Sequence, residues 1–122
     1  MKTKVLIVDD HRVFLDGLKA LINRESDMEV VGDAENGHKA IESAREVQPD
    51  IILMDVKMPV MDGIEATRRI LAEMPGVKIL ALSMYSDDGF TAGVMKAGAL
   101  GYILKGCDFD ELVINDSQSC RL

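Results

Sequence analysis

Short apolar runs alternate along this chain with segments in which apolar residues recur every three or four positions. Lys4 to Val8 is followed by Phe14, Leu18, Leu21 and Ile22, a spacing that predicts a strand and then a helix. The same alternation returns four more times. Glu29 to Val31 precedes Ala40, Ile41, Ala44 and Val47, and Ile51 to Met54 precedes Ile64, Thr67, Ile70, Leu71 and Met74. Val77 to Leu82 precedes Phe90, Val94 and Met95, and Leu100 to Leu104 precedes a short acidic opening, Asp108 to Leu112. Pro49 and Pro75 punctuate the joins.

Strands that are apolar throughout, instead of at every second residue, imply a sheet covered on both faces. Their alternation with helices implies parallel strands joined by right-handed crossovers. The expected fold class is α/β, a doubly wound five-stranded parallel sheet. Residues 1–115 read as one domain of this kind. Val113 to Leu122 loses the helical pattern, so residues 116–122 read as a frayed or non-native tail, with no output domain after it.

Composition narrows the picture further. With 48% hydrophobic and only 4% aromatic residues, 8 Met and no Trp, the core has to be aliphatic and methionine-rich. Fourteen basic against 21 acidic side chains leave a net charge of -7, which disfavours direct nucleic-acid binding by this chain and favours cations. Cys107 and Cys120 make no disulfide framework or zinc site, which fits a reducing compartment. The opening apolar run meets Asp9 and Asp10 after four residues, too soon for a signal peptide. All apolar runs are far shorter than the ~20 residues of a membrane span. A cytoplasmic protein without membrane contact is expected.

In open parallel sheets ligands bind beyond the carboxyl ends of the strands. There this sequence places Asp9 and Asp10 after the first strand, Asp55 after the third, Ser83 after the fourth and Lys105 after the fifth. Singly, each has a plain explanation: Asp10 as a helix cap, Ser83 as a turn residue, Lys105 as a solvated lysine. Together, three carboxylates without a cation would repel one another, whereas a divalent ion and one lysine restore neutrality. Oxygen ligands of this kind suit Mg²⁺, which usually shares a phosphate oxygen. A phosphoryl group on Asp55 would then be neutralised by Mg²⁺ on one side and by Ser83 and Lys105 on the other. Neither G-x-G-x-x-G nor G-x-x-x-x-G-K-[ST] occurs, which excludes dinucleotide and P-loop sites. A small Mg²⁺-dependent phosphohydrolase with an Asp nucleophile is the alternative, but the acid/base Asp expected two residues on is replaced by Lys57. His11 reads as a turn or helix-start residue, and Met58, Met61, Met84 and Met95 as packing residues. Arg68 and Arg69 read as a solvated helix face.

V-D-D-H-R at 8–12, M-D-V-K-M-P-V-M-D-G at 54–63, A-L-S-M-Y at 81–85 and K-A-G-A-L-G-Y-I-L-K-G at 96–106 resemble the receiver domain of bacterial two-component response regulators. Within that family they resemble the NarL/FixJ-like branch. The resemblance covers about residues 4 to 112 and implies a flavodoxin-like (βα)5 fold with strand order 2-1-3-4-5. It implies that Asp55 accepts a phosphoryl group from a histidine kinase. Mg²⁺ would be bound directly by Asp10 and Asp55, through water by Asp9, and by the Lys57 backbone carbonyl. Ser83 and Lys105 would contact the phosphoryl group, and Ser83 with Tyr102 would form the switch. On its own, Tyr102 reads as a half-buried strand aromatic. The resemblance further implies a signalling domain in place of a metabolic enzyme, a homodimer on phosphorylation, and transcriptional control of DNA through a C-terminal domain of a full-length protein. Gly106 stands where many receivers have Pro, so the cis peptide often found there is not implied.

Overall fold

The computed structural model describes residues 2–55, 61–83 and 88–104, with the backbone alone at 83, 88–91 and 102–104. Along the chain run β1 (Thr3–Val8), α1 (Arg12–Asn23), β2 (Met28–Ala34), α2 (Gly37–Val47), β3 (Ile51–Asp55), α3 (Gly63–Glu73), β4 (Lys78–Ser83), α4 (Asp88–Ala97) and β5 (Gly101–Leu104). The strands form one parallel sheet in the order β2-β1-β3-β4-β5. The expected acidic helix from Asp108 lies outside the described residues.

Because side chains alternate across a strand, each apolar run supplies both faces of the sheet. Leu6, Val8, Ile52, Met54, Ile79 and Ala81 meet Ala40, Ile41, Ala44, Ala66, Ile70 and Val94 of α2, α3 and α4. Val5, Ile7, Leu53, Leu80 and Leu82 meet Leu15, Leu18 and Ile22 of α1 on the other face. A leucine or isoleucine buried to this degree contributes roughly 1.5–3 kcal/mol, so these two aliphatic layers carry the fold. Thr67, read as part of the apolar face of α3, is also fully buried.

Two expectations are corrected, and one plain explanation, the helix cap at Asp10, is removed. β2 extends from Met28 to Ala34, well past the apolar run at Glu29 to Val31. Gly32 and Asp33 are poor strand formers, but they pair with Leu6 and Ile7 of the buried central strand, and cross-strand pairing overrides propensity. The register shifts between Val5, paired with Val30, and Leu6, paired with Gly32, so Val31 is accommodated as an irregularity in the ladder. Met95 is not a core residue: it is 38% exposed, because Val94 next to it takes the buried position on α4. Asp10 does not cap α1. That place belongs to His11, whose side chain makes no capping hydrogen bond.

Elsewhere capping follows residue chemistry. The Asn36 side chain accepts the Lys39 N–H at the start of α2, and the Asp62 side chain accepts the Glu65 N–H at the start of α3. Helix α4 stops at Gly98, whose φ of 121° a residue with a side chain rarely adopts; its N–H donates to the Met95 carbonyl.

Candidate functional site

The strand register builds the site. Val8 pairs with Met54, so the next residue on each of the two central strands is a carboxylate, Asp9 and Asp55. The Asp9 N–H donates to the Ala34 carbonyl at 3.0 Å, holding the chain in line with β2 for one residue beyond β1. Asp9 then turns the chain, because its Oδ1 accepts the His11 N–H at 2.8 Å. This turn brings Asp10 and His11 back over the strand end and starts α1 at Arg12.

Asp9 and Asp55 form the floor, with side chains 0% and 3% exposed, while Asp10 at 31% and His11 at 66% form the rim. His11 Nδ1 lies 3.0 Å from Asp9 Oδ1, 3.4 Å from Asp10 Oδ1 and 4.0 Å from Asp55 Oδ2. One ligand atom from each of the four residues lies within 4.8 Å of all the others. Buried carboxylates are costly unless a cation or donors compensate them. Three carboxylates converging on a space this small match the oxygen donor set of one hard divalent cation. Among the described residues, Arg12 and Lys19 of α1 are paired with carboxylates of β2 and the loop after it. Lys19 pairs with Asp33 at 2.8 Å, and Arg12 lies 3.4 Å from Glu35.

Of the residues the sequence singles out, Asp9, Asp10 and Asp55 are brought together. Ser83 ends β4, one residue past Leu82, the register partner of Asp55, and Tyr102 lies in β5 opposite Ala81; both side chains lie outside the described residues. Lys57 and Lys105 also lie outside them, as do Met58 and Met84. Met61 is buried, as expected of a packing residue, and Arg68 and Arg69 are exposed. What sequence reasoning missed is His11. Its place at the helix start was expected; its ring among the carboxylates was not. The signal was available in three consecutive ligand-type residues, D-D-H, at a strand end.

The segment that returns from Asp55 is anchored where it is next described. The Met61 carbonyl accepts the Gly37 N–H at 3.1 Å, joining this segment to the first residue of α2, and Asp62 caps α3.

The family model described as the response regulator receiver domain matches residues 5–115. The chain is 43% identical over 112 residues to the transcriptional regulatory protein DegU of Brevibacillus brevis, covering 92% of this chain and 48% of that protein. Among solved structures it resembles a LuxR-family two-component response regulator from an Aurantimonas species, at 35% identity and a TM-score of 0.86, covering 95% of this chain and 83% of that one. It also resembles the signal receiver domain of the putative response regulator NarL of Mycobacterium tuberculosis, at 28% identity and a TM-score of 0.87, covering 94% of this chain and 93% of that one. The chain spans about half the length of the curated relatives it matches.

Proposed function

Because this chain belongs to the response regulator receiver domain family, whose model matches most of its length, we propose that Asp55 accepts a phosphoryl group from a phosphohistidine of a sensor histidine kinase. One carboxylate oxygen of Asp55 attacks phosphorus. The new O–P bond forms as the P–N bond of the phosphohistidine breaks, and the imidazole leaves with the electron pair and takes a proton from solvent. In this reading Asp10 and Asp55 hold Mg²⁺ directly, Asp9 holds it through water, and the Lys57 carbonyl completes the set. Bound there, the ion offsets the negative charge of the phosphoryl oxygens. The Ser83 hydroxyl and the Lys105 ammonium bind the remaining oxygens. Movement of Ser83 toward the phosphoryl group opens space that Tyr102 fills, which biases two conformations by their differential affinity for phosphate.

The observation that carries this reading is the juxtaposition of buried Asp55 with Asp9 and Asp10, their ligand atoms within 4.8 Å. The matched span, 5–115, supports a receiver unit over residues 1–115. Relatives named as transcriptional regulators, with about twice the length of this chain, support a DNA-binding output domain as the target; dimerisation on phosphorylation and a cytoplasmic location complete the proposal. Among the described residues no helix is long and apolar enough to cross a membrane. The phosphohydrolase alternative is not favoured, because the family is one of signalling domains.

Incubation with acetyl phosphate and Mg²⁺, read by intact mass, should add one phosphoryl group to the chain. Asp55→Asn should add none. Labelling that persists in that variant would move the acceptor elsewhere, and sustained phosphate release at enzymatic rates would restore the hydrolase.

A further inference from the structure

We propose that the hydroxyl of Thr67 sets the balance between two seatings of α4, because it makes the seam between α3 and α4 costly when that seam is closed. The inference rests on the reading of Asp55 as the phosphoryl acceptor, and it names a residue outside the acidic cluster that tunes the response to phosphorylation.

The seam is built from residues three and four apart on α3. Ile64, Thr67 and Leu71 therefore lie along one side of that helix. The outer two show what this side faces. A Cβ added at Gly93 of α4 would lie 2.6 Å from Ile64 Cδ1, and one added at Gly98, just after α4, would lie 2.5 Å from Leu71 Cδ1. The two glycines are sockets for the two aliphatic side chains. Thr67 stands between them along the helix, on the side nearer the core residues Ala66 and Ile70, and is 0% exposed. Its Oγ1 has no hydrogen-bond partner among the described residues. A helical threonine can return its hydroxyl to the carbonyl four residues back, here that of Gly63, and this bond is not made.

A hydroxyl taken out of water and left unpaired shifts an equilibrium by about tenfold. Among the described residues no side-chain hydrogen bond or ion pair joins α3 to α4, whereas α2, the other helix against α3, is tied to it by the two bonds from Arg45 to Glu73. Helix α4 is also the next element after Ser83, so movement of Ser83 toward a phosphoryl group is passed to it along the chain. When α4 lifts, Ile64 and Leu71 lose apolar contact with their sockets, and water reaching the Thr67 hydroxyl offsets part of that loss. The hydroxyl thus narrows the gap between the two seatings, and an apolar side chain of the same shape should widen it.

Thr67→Val keeps the shape and removes the hydroxyl. Beryllofluoride with Mg²⁺, titrated into the 122-residue chain and followed by the amide signals of Gly93 and Gly98, should bind Thr67→Val about fivefold or more weakly than the unmodified chain. Affinity for Mg²⁺ alone should be unchanged, and the urea midpoint of the unliganded variant should rise. Thr67→Ser restores a hydroxyl and should bring beryllofluoride affinity back to within about twofold of the unmodified chain. Equal beryllofluoride affinity in Thr67→Val, a parallel loss of Mg²⁺ affinity, or a lower urea midpoint would overturn the role of Thr67 while leaving the acceptor reading in place. An unmodified chain that binds no beryllofluoride would overturn the acceptor reading, and the coupling with it.

Discussion

At the residue scale, the site separates two aspartates that are adjacent in sequence. Asp9 is fully buried and already accepts a hydrogen bond from the chain turning above it, whereas Asp10 is on the rim and partly solvated. An oxygen that must coordinate directly contributes more to affinity than one acting through water. Asp10→Asn is expected to weaken Mg²⁺ binding by about tenfold or more, and Asp9→Asn by only a few-fold. Ligand binding raises stability by an amount set by its concentration relative to Kd, about 2.7 kcal/mol at a hundredfold excess. Thermal melts with and without Mg²⁺ therefore read the same ranking: the stabilisation should shrink most in Asp10→Asn. Equal losses in the two variants would reject the direct and water-mediated roles. The bland explanation of Asp10, a helix cap, is removed by the placement of His11 at that position.

At the scale of elements, what matters is how α2 is docked to the segment that returns from Asp55. Gly37 opens α2 with its N–H on the Met61 carbonyl, so close that a Cβ there would lie 2.7 Å from the Met61 Cβ, Cγ and O. One of those atoms is backbone and cannot rotate away. Gly37→Ala should therefore lower stability by about 1–3 kcal/mol from crowding, against at most about 1 kcal/mol gained from helix propensity. A fall in the urea midpoint without a change in slope would bear this out, and an unchanged or higher midpoint would show that the Met61 segment yields easily. Helix positions were legible wherever apolar residues recur on one face, as Leu18 and Ile22 do, although the third fully buried residue of α1 is Leu15, with Phe14 and Leu21 only partly buried. The extent of β2 was not, because Gly32 and Asp33 are strand residues only by virtue of Leu6 and Ile7 beside them.

On the scale of the whole molecule, exposed ion pairs tie the outer helices together. Arg45 on α2 donates from Nε and Nη2 to the two oxygens of Glu73 on α3, at 2.7 and 2.8 Å. The Arg45 hydrogen bond, and then its charge, hold the Glu73 carboxyl below its ordinary value of 4.5. On α3 itself, the Arg69 hydrogen bond, with the charges of Arg68 and Arg69, does the same for Glu65. Both carboxyls thus favour the ionised form more in the folded chain than in the unfolded one. Their contribution is complete above pH 4.5 and is lost as the pH falls through the lower folded values. These groups are solvated, so the effect is small and screened by salt. Urea midpoints between pH 6 and 3 should fall more steeply for the unmodified chain than for Glu73→Gln at low salt, and the difference should fade near 1 M salt. Parallel curves would show that the α2–α3 pair contributes nothing.

The strand and helix alternation, the doubly wound class and the convergence of Asp9, Asp10 and Asp55 were determined by sequence alone. Buried parallel strands must be apolar throughout, and their carboxyl ends then share one edge of the sheet. The ring of His11 among the carboxylates was decided only in three dimensions, because it depends on the turn that Asp9 makes by accepting the His11 N–H. So was the exposure of Met95 beside buried Val94, since helical spacing alone did not say which of the two adjacent apolar residues faces the core. Sequence pattern records which side chains avoid water; the direction a single side chain takes at a strand end is set by neighbours that only folding supplies.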